Sequence, residues 1–281
     1  MAVIAMTREM GSLGKDVAEG LAKRLGARLI YSEIVGSLAE KMHMSPSVVT
    51  RFVQGKANLL ERIGVDLDQL SLHTAAEVYD LAARGDIVIR GWGAPYLLRP
   101  IQHVATVRIC APLELRVKRL MERLQIRESK IALKEIRNSD SAHAAAMHRR
   151  FGVDWRDAEH YDLVLNTAKL SVDECVGQII DLVNLPTFQE SPELRAELAS
   201  LALSAHVRAA LKSDPQTSHA NIIVEAIRNA QGGHVVLRGI VVDAVEKSAV
   251  EKGVFNYPGV SSVENQLKLM AVERIPKSHD G

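Results

Sequence analysis

The sequence predicts an α/β protein, a parallel sheet with helices on both faces, followed by a small C-terminal α+β domain. Three observations predict it. Short apolar strands alternate with amphipathic helices from Val3 to Leu182, the pattern of parallel strands joined by crossover helices. The run Ala2–Val17 leads from an apolar strand through Gly11-Ser12-Leu13-Gly14 to Lys15 and a helix, the layout of a phosphate-binding P-loop. Beyond Pro186 and Pro192 the pattern changes to helix, strand, glycine pair, strand, helix, strand.

Taken in order, Val3–Met6 is the first strand. Lys15–Leu25 is the helix after it, with Val17, Leu21, Ala22 and Leu25 on one face and Gly26 as its stop. Leu29–Tyr31 is a strand and Ser32–Met42 a helix. Ser45 caps a new helix that Pro46 begins, and helical patterning runs to Arg84 with breaks near Gly55 and Gly64. Gly85-Asp86 leads into strand Ile87–Arg90, which ends at Gly91-Trp92-Gly93. Strand Ala105–Cys110, helix Pro112–Met121, a polar helix Arg127–Arg149, strand Tyr161–Asn166 and helix Val172–Leu182 complete a first domain, 1–183. Residues 184–192 read as a linker. A second domain, 193–272, carries helix Glu193–Lys212, strands Ile222–Ile227 and Val235–Val241 around a Gly232-Gly233 turn, helix Ala244–Val254 and strand Val260–Leu269. Residues 273–281 read as a flexible tail.

Composition excludes several classes. The 281 residues are 47% hydrophobic and 25% charged, the balance of an ordinary globular protein. A net charge of +1 gives no general pull toward nucleic acid, and no nucleic-acid partner is expected. Cys110 and Cys175 lack a Cys-x-x-Cys partner and read as buried thiols in a reducing compartment. No basic segment followed by a long apolar stretch opens the sequence, and no apolar run approaches the roughly 18 residues that span a bilayer. A cytoplasmic protein is expected.

The phosphate loop departs from G-x-x-x-x-G-K-[ST] at two places. Glu9 stands where the pattern has Gly, and Asp16 stands where it has the hydroxyl that holds Mg²⁺. A carboxylate can itself ligate Mg²⁺. It also repels a polyphosphate: two like charges 4 Å apart cost about 4 kcal/mol at an effective dielectric of 20. The residue is equally at home as a first-turn acid of a helix.

Several further stretches carry a resemblance: Thr7–Asp16, Ile89-Arg90-Gly91-Trp92-Gly93-Ala94-Pro95-Tyr96-Leu97-Leu98-Arg99, Ala111-Pro112-Leu113-Glu114-Leu115-Arg116 and Tyr161–Thr167. In that order and spacing they resemble the cytidylate-kinase-like family, a branch of the nucleoside-monophosphate-kinase fold, over roughly Met1–Val183. The C-terminal part resembles a BON domain, through Val207-Arg208-Ala209-Ala210-Leu211, His234–Gly239 and Pro258-Gly259-Val260-Ser261-Ser262-Val263-Glu264-Asn265.

The first resemblance implies a P-loop kinase-like sheet that binds ATP and Mg²⁺ and passes a phosphoryl group to a nucleoside monophosphate. Gly11, Ser12, Leu13, Gly14 and Lys15 would cradle the phosphates, with Lys15 neutralising charge and Asp16 holding the metal. Arg116 and Arg123 would clamp the transition state. Arg90, Trp92, Arg99, Asp140 and His143 would meet the acceptor. The family commonly has Arg where this chain has Trp92 and His143. An indole stacks on a base or fills a core, and a neutral imidazole is a poorer phosphate clamp than guanidinium. These departures leave a second role open, a catalytically inactive nucleotide sensor or scaffold signalling through the BON-like domain. The BON resemblance implies a protein or phospholipid partner. The apolar segment Met44–Tyr79, with Phe52, Leu59, Leu60, Ile63, Leu67, Leu70 and Leu72, fits helix packing within a subunit and a homodimer interface equally.

Overall fold

The computed structural model describes residues 2–31, 33–53, 65–125, 127–229 and 231–270. By packing, the chain divides into Met1–Ala202 and Leu203–Gly281, a boundary that falls beyond residues 184–192.

In the first unit, strand β1 (Val3–Arg8) is central. The others are β2 (Arg28–Ile30), β3 (Ile87–Arg90), β4 (Val104–Cys110) and β5 (Leu163–Asn166). The order is β2-β3-β1-β4-β5, and every neighbouring pair is parallel. Side chains alternate across the pleat. Val3 and Ala5 of β1 enter one core, with Ile87 and Ile89 of β3, while Ile4 and Met6 enter the opposite core with Val88.

Helix α1 (Gly14–Leu25) and helix α8 (Val172–Val183) cover the second face through Val17, Leu21, Val176 and Ile179. The first face is covered by α2 (Glu33–Lys41), α3 (Pro46–Val53), α4 (Leu67–Ala83) and α5 (Ala94–Leu98), through Ile34, Leu38, Val49, Leu70, Val78 and Leu98. Each fully buried aliphatic side chain stabilises by roughly 1.5–3 kcal/mol, so two covered faces explain strands that read as continuous apolar runs. Helices α6 (Leu113–Leu124) and α7 (Ser129–Phe151) pack on each other around Leu120, Ala132 and Ile136. Residues 184–191 hold a short 3-10 turn, Pro186–Phe188, and α9 (Pro192–Ser213) follows.

The second unit has strands β6 (Asn221–Asn229), β7 (Gly232–Val241) and β8 (Val260–Leu269) and helix α10 (Ala244–Phe255). β6 and β7 are antiparallel, β7 and β8 parallel. Its core joins Leu203, Val207 and Leu211 of α9 with Val224, Val235, Leu237, Val250 and Val254.

Among the described residues the predicted elements are present, with ends moved by up to three residues; the expected breaks near Gly55 and Gly64 lie outside the described residues. Two differences have physical reasons. The five-residue α5 follows Gly93, whose left-handed backbone (φ 72°) starts it, and its shortness leaves little periodicity to read. Gly232 and Gly233 are not the turn expected of them but the first pairs of β7, opposite Asn229 and Arg228. A Cβ on Gly233 would lie 2.2 Å from Leu203 Cδ2, so this glycine serves a close approach. Of the apolar 44–79 segment, Phe52 and Leu70 join the first core, while Leu59, Leu60 and Ile63 lie outside the described residues, as does the 273–281 segment. Among the described residues no helix is long and apolar enough to cross a membrane.

Candidate phosphate-binding site

The strands end where chemistry is expected of an open parallel sheet, at their carboxyl ends. There β1 runs into the loop Glu9–Leu13 and then α1. Gly11 (φ 81°) and Leu13 (φ 61°) are both left-handed, a backbone that turns successive N–H groups to one side. Unlike α4, capped by Asp66, and α8, capped by Ser171, α1 has no side-chain cap. The amides of Gly11, Leu13, Gly14 and Lys15 meet no acceptor among the described residues. They stand at the positive end of the helix dipole. The loop is braced from behind. Ser12 Oγ donates to Glu9 O (2.8 Å) and Ile109 O (3.1 Å), and Thr167 Oγ1 donates to Ser12 O (2.9 Å). Gly14 is needed because a Cβ there would lie 2.5 Å from Arg8 Cβ.

Glu9, which stands where the pattern has Gly, keeps its carboxylate out of the amide cluster. Its carboxylate turns under the sheet, accepting from Arg108 Nη2 (2.7 Å) and the Ala111 amide (3.1 Å). Lys15 is half-exposed and pairs with Glu19 at 3.4 Å, a contact too solvated to hold it from an anion. Asp16 Oδ1 lies 3.3 Å from Arg123 Nη2, and its Oδ2 has no hydrogen-bond partner.

Arg116 is 4% exposed, and it is held by contacts within the protein. Nε donates to Met10 O (2.8 Å), Nη1 and Nη2 grip both oxygens of Asp140 (2.8–3.0 Å), and Nη1 lies 3.6 Å from Glu9. These contacts brace the loop, α6 and α7, with Asp140 as the partner of Arg116. Arg119 is likewise held, by Thr167 Oγ1 (2.9 Å) and O (2.8 Å). Arg123 is left beside Asp16 at the mouth of the loop.

In front of the loop lies a cavity of about 570 Å³ between the ends of β1 and β3, α4 and α7. It gathers Arg90, Trp92, Asp140 and His143 of the expected acceptor residues. Arg99 does not reach it; its guanidinium meets His160 Nδ1 (3.2 Å) and Glu159 O (3.3 Å) on the surface. Trp92 is 5% exposed within the first core and donates Nε1 to Tyr31 O (2.8 Å), so only part of the indole faces the cavity. Burial, and then the charges of Arg8 and Arg108, push the His143 imidazole down to about 4. It is neutral at physiological pH, 3.4 Å from Thr7 Oγ1 and edge-on to Trp155.

The cavity also holds Arg150, from the basic stretch at the end of the polar helix, and three side chains that the sequence reading missed: Arg8, Tyr31 and Trp155. Arg8 had one signal, its position directly after the apolar residues of β1. Trp155 had none, since it lies beyond the end of a polar helix. Among the described residues the one group spaced as metal ligands is Asp157, Glu159 and His160, on the surface and away from the cavity lining.

An open parallel sheet of this order, a phosphate loop with free amides and a facing basic cavity define a P-loop kinase-like protein with a small α+β unit after it. The chain belongs to the cytidylate kinase-like family, whose model matches residues 3–169, and residues 201–271 match the BON domain. It is similar to the cytidylate kinase of Pyrobaculum aerophilum, 26% identical over 185 residues that make up 64% of this chain and 92% of that one. It is also similar to the cytidylate kinase of Ignicoccus hospitalis, 29% identical over 182 residues, 64% of this chain and 97% of the other. An uncharacterized protein from Eubacterium ventriosum shares the fold, with TM-score 0.52 and 21% identity, covering 66% of this chain and 99% of that one.

Proposed function

We propose that this chain binds ATP on the Gly11–Lys15 amides and a nucleoside monophosphate in the facing cavity, and transfers the γ-phosphoryl group between them. The observation that carries this reading is the uncapped α1 amide cluster opening beside a cavity lined with arginine. In the transfer a phosphate oxygen of the acceptor bonds to the γ-phosphorus. The bond from that phosphorus to the β–γ bridging oxygen breaks, leaving ADP and a nucleoside diphosphate. Catalysis of this reaction is positioning plus charge stabilisation. Lys15 neutralises the donor phosphates, and Arg123 reaches the developing charge from α6. The Asp16 carboxylate fits Mg²⁺, which is often held by one carboxylate and substrate phosphates, because one of its oxygens has no protein partner. Bound there, the ion would neutralise phosphate charge.

One observation favours the second reading, a nucleotide sensor or scaffold without transfer. Arg123 is drawn to Asp16, and Arg116 is locked to Asp140, so few cations stay free near the donor. In either case the BON unit supplies the contact with a protein or phospholipid partner, in the cytoplasm. A coupled assay with ATP and CMP tests the first reading: turnover lost in Lys15→Ala supports it, and turnover equal to that variant's background overturns it. Thermal shift with ATP, with and without Mg²⁺, tests the second; stabilisation without turnover is its signature.

A further inference from the structure

Arg108 lies opposite Thr7 in the β1–β4 pairing, 7% exposed and behind the cavity lining rather than on it. Its guanidinium reaches in two directions. Nη2 donates to Glu9 Oε1 (2.7 Å). Glu9 opens the phosphate loop, and its carbonyl accepts from the Ser12 amide (3.2 Å) and from Ser12 Oγ (2.8 Å). Nη1 donates to Arg156 O (2.8 Å), and the guanidinium carbon lies 5.1 Å from the centre of the Trp155 ring. Trp155 forms part of the cavity wall, 1% exposed, with the His143 ring edge-on to it at 4.4 Å. The Tyr161 hydroxyl fixes it from behind, donating to Trp155 O (2.6 Å). One buried side chain thus joins the loop to a wall of the cavity.

We propose that Arg108 is a positioning residue, which carries the setting of the phosphate loop, through Glu9, to the Trp155 wall of the cavity. A guanidinium is planar, so hydrogen bonds at its two ends and an indole against its face fix one another's direction; an ammonium has no plane to transmit. The Glu9–Arg108 pair is buried, so neither end can drift without leaving a charge unpaired. Movement of the loop as phosphate seats on its amides therefore reaches Trp155 as a shift of the whole Arg108 fork. A misplacement of about 1 Å in a reacting site can cost on the order of 100-fold in rate. Naming the loop's occupant as ATP and the cavity's as a nucleoside monophosphate rests on the reading above. The link between loop and wall does not, because it is a property of the ligand-free chain.

The test is fluorine NMR of the full chain carrying fluorotryptophan. Trp92 and Trp155 are its two tryptophans, so the two resonances are assigned with Trp92→Phe. Without nucleotide, Glu9→Gln is expected to move the Trp155 resonance, and in an Arg108→Lys background the same substitution is expected to leave it in place. MgADP is expected to move that resonance in the wild type and not in Arg108→Lys, with calorimetric ADP affinities of the two within about threefold. In the assay with ATP and CMP, Arg108→Lys is expected to lose about tenfold or more in kcat with KM for ATP little changed. A purely structural role would lower the unfolding midpoint without making the Trp155 signal depend on Glu9. Should Arg108→Lys not fold, Arg108→Met takes its place. A Trp155 resonance indifferent to Glu9→Gln, or moved equally by it in the Arg108→Lys background, overturns the proposal, as does ADP bound to the wild type with that resonance unmoved. Absence of ADP binding and of turnover removes the nucleotide reading and leaves the proposal standing on the ligand-free comparison. Turnover with that comparison failing does the reverse.

Discussion

The Glu9 carboxylate lies 2.7 Å from Arg108 Nη2, and both side chains are about nine-tenths buried, beneath the loop rather than in it. This pair turns an acid that sequence alone places among the phosphates into a structural anchor. Glu9 also accepts from the Ala111 amide, so it ties the end of β1 to the start of α6. Removing one partner of a buried ion pair strands the other. Glu9→Ala is therefore expected to destabilise by about 3–5 kcal/mol, and Glu9→Gln by less, since it keeps a hydrogen-bond acceptor. Urea unfolding of both variants and of Arg108→Met checks this. The double variant Glu9→Ala with Arg108→Met should lose less than the sum of the singles.

Arg116 and Asp140 form the next link in the same brace. The bidentate fork joins α6 to α7, and the Arg116 Nε bond joins both to the loop at Met10. Lysine carries the charge but cannot make three directed contacts. Arg116→Lys is expected to cost on the order of 2 kcal/mol in stability. If Arg116 instead clamps phosphate, the variant would weaken ATP binding with little change in the unfolding midpoint.

Gly11 sits against α6, and its constraint is double. Its φ of 81° is in the left-handed region, and a Cβ would meet the Arg116 carbonyl oxygen at 2.6 Å. Gly11→Ala is expected to destabilise by about 1–3 kcal/mol from backbone strain, with the clash added. Gly26, also left-handed but with nothing near its Cβ position, should lose only the strain part on substitution by alanine. Thermal unfolding of the two variants separates the contributions.

The fold was largely legible because its signals are local and repeated. Short apolar strands alternate with periodic helices, and Gly, Pro and Ser mark their ends. The loop was legible as a strand–Gly–Lys–helix sequence. The direction of a side chain was not. Glu9 reads as an obstruction because nothing local says that Arg108, on another strand, draws it away. Arg116 and Arg123 lie on one helix and read alike, yet contacts from Met10 and Asp140 bury one and leave the other half-exposed. Arg8 has no periodic signature beyond its place after the apolar residues of β1; what draws notice to it is the cavity it shares with Arg90, from a strand far apart in sequence that pairs in parallel with β1.

His143 gives a pH dependence with a definite sign. Its imidazole titrates at about 4 in the folded chain, against an ordinary value of about 6.5, because burial and then the charges of Arg8 and Arg108 disfavour the cation. Between those two values the unfolded chain binds more protons at this residue than the native one, so its contribution to stability is present above pH 6.5. That contribution is lost as pH falls toward 4, in total on the order of 3 kcal/mol. Carboxylates titrate in part of the same range, so the comparison that isolates His143 is with His143→Gln. Urea unfolding at pH 7.5, 6 and 5 should show the wild type losing stability faster than the variant on acidification. Parallel curves would mean that the imidazole takes up its proton at the same pH in the native and unfolded chains, so that burial and the two arginines do not shift it.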